Sequence, residues 1–161
     1  AANPKVRESA AQALCELAGV GDPFATIWKR LESEAVDDLP RPMRNLALAV
    51  GLKGEVDNGG FSQYFFNPAG NDAAKALKAL EEMDAFAAAA LLKRAMALFG
   101  ASGPSPDRER RMEQLADFTE AQDEQLGELD SEFYKDKDGL EVRFHLYAIQ
   151  HKEAWEPAAK D

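Results

Sequence analysis

Cys15 is the only cysteine in the chain, so no internal disulfide can form and a disulfide-stapled scaffold is excluded. It falls on the apolar side of the first expected helix, where a buried, inert thiol is expected rather than a nucleophile. Histidine is nearly as scarce. His145 and His151 stand six residues apart and point to different sides of a helix, so they do not converge on a metal. Glu141 and His145 do share a helix face at i, i+4, and they are the only weak candidates for an acid/base pair. No metal, cofactor or catalytic residue is expected.

Long apolar spans are missing as well. The greasiest stretch, "AFAAAALL", is too short to cross a bilayer and runs into Lys93 and Arg94. The sequence opens on Ala1 without a methionine, which leaves a removed leader open; the residues present show none, and a cytoplasmic protein without membrane contact is expected. Basic clusters are also lacking. Lys and Arg number 19 against 29 Asp and Glu, giving a net charge of −10 and a pI near 4.7. Without cationic clusters to displace counterions the chain cannot hold nucleic acid directly, and its charge draws it to basic partners. "GVGD" lacks the preceding strand and the Lys-Ser/Thr pair of a phosphate loop, and Ser62 lacks the glycine pattern of a nucleophile elbow.

What is abundant is alanine, leucine and glutamate, with few β-branched residues, which favours helix over strand. Helix punctuation recurs: Asn3 with Pro4, then Gly19; Asp22 with Pro23; Pro40 and Pro42 before "MRNLALAVGLKGEV". The pattern predicts an all-α chain, a single-domain bundle over 1–161 of about eight or nine short-to-medium helices. "ASGPSP" is the one Pro/Gly/Ser-rich connector. The polar segment after it is expected to be helical, with a break near Gly127.

Charge is concentrated in that segment. From Glu113 to Tyr134 there are eight carboxylates (Glu113, Asp117, Glu120, Asp123, Glu124, Glu128, Asp130 and Glu132) and no Lys or Arg. Residues 107–141 carry thirteen acids against five bases, a net of −8, which leaves −2 for the rest. On a continuous helix at about 100° per residue, Glu113, Asp117, Glu120 and Glu124 fall on one stripe, with Met112, Leu115, Thr119, Gln122 and Leu126 opposite. Like charges at these spacings each cost about 0.2–0.5 kcal/mol, and the interspersed lysines that usually relieve them are missing. Such a row could present phosphate-like charges to a cationic groove; the plain alternative is a solvated acidic helix.

The stretch "EVDNGGFSQYFFN" is the most distinctive. Asn58-Gly59-Gly60 is a turn signal without the alternating flanks of a hairpin, so the glycines are expected to end one helix and start a short one. Phe61, Tyr64, Phe65 and Phe66 are expected in the core, and Asn58, Gln63 and Asn67 on free helix-end backbone groups. A second reading has these three amides lining a small polar pocket.

This block, the alanine-rich helices after it, and the later "LDSEFYKDKDGLEVRFHLYAIQH" resemble a bacterial family known mainly as a domain of unknown function. Its well-described branch is a DNA-mimic protein. The resemblance spans roughly residues 40–151 and rests on Asn58, Gly59, Gly60, Phe61, Gln63, Tyr64, Phe65 and Asn67. It implies an all-helical, non-enzymatic monomer or homodimer whose acidic surface occupies the basic DNA-binding face of a partner, such as a transcription repressor. The alternative is a helical adaptor or small-ligand module working through Asn58–Asn67, without mimicry.

Overall fold

The computed structural model describes residues 3–156, which contain eight α-helices, three 3-10 segments and no strand. The helices are α1 (Pro4–Leu17), α2 (Pro23–Leu31), α3 (Arg41–Phe66), α4 (Ala73–Glu82), α5 (Phe86–Ala97), α6 (Arg108–Ala116), α7 (Glu120–Phe133) and α8 (Leu140–Gln150). The all-α class therefore stands. The expected caps do their work at the first two helices. The Asn3 side chain accepts from Lys5 N, and the Asp22 carboxylate accepts from both Phe24 N and Ala25 N. Where the local sequence offers no cap, a distant one serves: α5 begins after Ala85, and Asp138 accepts from Ala87 N and Ala88 N at 3.3 and 2.7 Å.

The residues cluster into two compact units, with the boundary inside α3 between Ala47 and Leu48. The first unit comprises the described residues up to Ala47 and from Gly139 onward. In it α1 packs on α8, burying Ala11 and Cys15 from α1 with Phe144 and Ala148 from α8. Cys15 Sγ lies 3.5 Å from the His145 carbonyl, and burial, then the nearby Glu16 and Asp22 charges, push its thiol up. Trp155 Nε1 donates to the Pro23 carbonyl and Asn45 Nδ2 to the Tyr147 hydroxyl, so the polar atoms of this core are paired.

The second unit is Leu48–Asp138. Here α4 packs on α5 and α5 on α7. Alanines at 76, 79, 88, 89 and 95 are buried, small side chains that let helices approach closely. A relay of edge-on and stacked rings runs from Phe133 through Phe61, Phe65 and Phe99 to Phe118, with centroids 4.8–6.3 Å apart. Full burial of each apolar ring is worth about 1.5–3 kcal/mol relative to exposure.

The long polar segment differs from expectation. The chain does not break at Gly127, which lies within α7; it breaks at Asp117–Thr119, between α6 and α7. Thr119 accepts from Gln122 N, and the Gln122 side chain accepts from Thr119 N: a reciprocal capping box that starts a new helix. Phe118 faces Phe99 and fills the corner.

Candidate functional site: an acidic helix beside a glycine kink

α7 buries Leu126, Leu129 and Phe133 along one side. At 100° per residue Glu120, Asp123, Glu124 and Glu128 spread over about 140° of the opposite side, and all four are exposed. Gln122 Nε2 donates to the Leu98 carbonyl at 2.8 Å and ties the start of α7 to the end of α5. Glu120 and Asp123 sit in the first turn, where the helix dipole favours anions by about 0.3–1 kcal/mol each. That offsets part of the repulsion within the row. α6 adds exposed Glu113 and, at its C-cap, exposed Asp117, while Arg110 stands on the same side as Glu113. None of these six carboxylates has an ion-pair partner among the described residues.

The single stripe expected across Glu113, Asp117, Glu120 and Glu124 is therefore divided between two helices. The two remaining acids are placed differently again. Glu132 pairs with Lys135 and, at 3.2 Å, with Lys137, which hold its carboxyl below the usual range. Asp130 turns inward and accepts from Phe61 N at 2.7 Å; burial pushes its carboxyl up, and that hydrogen bond pulls the other way. An open cleft of about 460 Å³ beside α7 is lined by Arg94, Glu128, Ser131 and Glu132, so a cation stands at the far end of the acidic side.

Asp130 leads to the glycine motif. α3 leaves helical geometry at Gly59 (φ −155°, ψ 20°) and Gly60 (φ 76°, ψ −179°), then resumes. The expected end and re-entry are thus present, as two helical stretches joined at a kink. At Gly60 the positive φ excludes ordinary side chains, and a Cβ would overlap the Asp130 carboxylate, whose Cγ is 2.7 Å away. On the near side of the kink Tyr134 OH donates to the Val56 carbonyl at 3.0 Å.

Phe61, Tyr64 and Phe65 are buried as expected, but Phe66 is 46% exposed, with the Arg108 guanidinium 5.3 Å from its ring centre. The amides also differ from expectation. Gln63 Nε2 and Asn67 Nδ2 both donate to Glu55 Oε2, at 2.7 and 2.8 Å, and Asn58 Nδ2 donates to Gln63 Oε1 at 3.2 Å. They serve one another rather than backbone ends. Glu55, the hub, opens the motif, and nothing in the sequence sets it apart from the other acids.

Arg111 is equally unmarked in the sequence. Its side chain is fully buried and donates to the carbonyls of Phe65 (2.5 Å), Ser105 (2.7 Å) and Asn67 (3.0 Å) and to Asn71 Oδ1 (2.8 Å). Gly70 makes room for it: a Cβ there would sit 2.9 Å from Arg111 Nε. One of the five bases of residues 107–141 is thus spent in the core. The Tyr64 hydroxyl is buried without a hydrogen-bond partner among the described residues, and burial with the nearby Asp72 charge raises its pKa.

The weak acid/base pair does not assemble. His145 is buried, and its Nδ1 lies 2.6 Å from the Glu141 backbone carbonyl, with the ring edge-on to Phe24. Among the described residues no three His, Cys, Asp or Glu side chains converge as a metal site, and no helix is long and apolar enough to cross a membrane.

Compared with known proteins, the chain matches the family described as DMP19-like protein, DNA mimic protein 19-like, over residues 37–152. No curated protein and no solved structure matches it. The matched region takes in the glycine kink, the buried Arg111 and the whole of α7, and begins after α2. The chain belongs to the DMP19-like family of DNA-mimic proteins.

Proposed function

We propose that this protein is a non-enzymatic DNA mimic whose phosphate-like charges are Glu120, Asp123, Glu124 and Glu128 on α7, extended by Glu113 and Asp117. What carries the reading is six exposed carboxylates in one stretch with no ion-pair partner among the described residues. Glu120, Glu124 and Glu128 follow one another at about 6 Å along the helix axis. That is inside the Debye length of about 8 Å at physiological salt, so a cationic groove feels them together. Asp130 and Glu132 drop out of the charge set, one spent on a backbone amide and the other on two lysines.

The partner is a basic, DNA-binding protein of the cytoplasm, with a transcription repressor as the leading case. The adaptor reading draws less support, because Gln63 and Asn67 are both engaged by Glu55. The test is capture of partners from a bacterial lysate at about 0.05 M and about 0.5 M salt. A DNA-binding protein retained only at low salt, and released by added duplex DNA, is expected. Capture that survives high salt and ignores DNA contradicts the proposal.

A further inference from the structure

The glycine motif and the acidic helix are far apart in sequence, yet they meet at two polar contacts. Asp130, in the last turn of α7, and Tyr134, its C-cap, lie about one turn apart. Asp130 holds the amide of Phe61, the first residue after the kink, and Tyr134 holds the carbonyl of Val56, in the turn before it. The other α7 residues that face the core, Leu126, Leu129 and Phe133, are apolar. Apolar packing selects the side of the helix that faces the core but sets its rotation only coarsely, because the hydrophobic effect has no direction. Hydrogen bonds do have direction.

We infer that the Gly59–Gly60 kink is the device that positions the acidic helix: Asp130 and Tyr134 grip its two sides and so fix which way Glu120, Asp123, Glu124 and Glu128 face. Asp130 is then a positioning residue, not a phosphate mimic. Its azimuth supports this. Asp123 and Asp130 are seven residues apart and within about 20° of each other around the helix, yet Asp123 is exposed and Asp130 is closed under the kink. The kink marks the edge of the acidic side. Gly60 is required twice over, by its positive φ and by the carboxylate against it. A half-buried carboxylate that burial disfavours is a poor choice for stability alone, and its hydrogen-bond direction is what an apolar residue could not supply.

The inference rests on the mimic reading for its purpose but not for its geometry, and the test keeps the two apart. Spin labels are placed at exposed Lys78 on α4 and Gln125 on α7 in a Cys15→Ala background, and the distance distribution is read by pulsed electron resonance. One narrow distance is expected in the parent and in Asp130→Asn, which keeps the oxygen acceptor. A broadened or displaced distribution is expected in Asp130→Ala and in Tyr134→Phe. A narrow, unmoved distance in both of these overturns the inference, whatever the chain binds.

A second arm uses a deca-arginine peptide as a pure charge probe. Glu124→Gln is expected to weaken its binding about threefold, whereas Asp130→Asn leaves it unchanged. Equal losses from both make Asp130 a surface charge and overturn the inference. A mimic that finds no partner in a lysate leaves the distance result standing.

Discussion

Asp130 accepts a hydrogen bond at 2.7 Å from the backbone amide of Phe61, 69 residues away in the chain. The contact has a pH signature. Burial raises the Asp130 carboxyl, so the folded state favours its protonated form. The stabilising share of this group is therefore full below its unfolded value of about 4, and it is lost as pH rises through the higher folded value. Asp130→Asn keeps the acceptor and removes the charge. Thermal melting across pH should find this variant equal to or above the parent at neutral pH, with the gap narrowing in acid. Asp130→Ala leaves the Phe61 amide unpaired and should lose about 1–3 kcal/mol.

Gly60→Ala meets both a forbidden backbone angle and the Asp130 carboxylate. A loss of about 3 kcal/mol is expected in chemical denaturation. Pairing it with Asp130→Ala removes the overlap but not the strained φ, so the double variant should recover only part of the loss.

Gly127 sits inside α7 with open space where a Cβ would stand. Gly127→Ala should stabilise the protein by about 0.5–1 kcal/mol, read from the denaturation midpoint. A break at that position, as the sequence had suggested, would instead make the change neutral or harmful.

Arg111 fills four acceptors from one planar guanidinium. Lysine offers a compact ammonium with three donors and cannot span the same set. Arg111→Lys should cost about 2–4 kcal/mol, because buried carbonyls lose their partners. Equilibrium denaturation checks it, and a loss below 1 kcal/mol would refute the structural role.

The helical class was legible because its signals are local: Asn3 with Pro4, Asp22 with Pro23, the paired glycines at 59 and 60. The Thr119–Gln122 capping box was equally local but was overlooked, because both residues also fit the inward side of one continuous helix. Once that helix was assumed, Glu113 to Glu124 became a single stripe. The fates of Asp130, Glu55 and Arg111 were not legible, for a different reason. In sequence Asp130 is one acid among eight and Arg111 one of five charged residues in a row. Only the tertiary approach of α7 and α6 to the end of α3 selects them for burial. The family resemblance pointed to the right region, 40–151 against a match over 37–152, without saying which of its acids stay free.

The acidic side of α7 carries a stability cost that charge reversal should reveal. Glu124→Lys replaces repulsion from Glu120 and Glu128 at i, i+4 with attraction, worth about 0.2–0.5 kcal/mol per pair. The variant should therefore melt higher than the parent while binding its partner less well, a trade-off expected of a functional surface.

The most direct measurement is a displacement titration. A fluorescent duplex bound to the captured DNA-binding partner is titrated with the parent and with a Glu120→Lys, Glu124→Lys, Glu128→Lys variant, after circular dichroism shows equal helix content. The parent should release the DNA competitively, and the variant should not. A ternary complex holding DNA and this protein together, or release by the variant as complete as by the parent, would contradict the account.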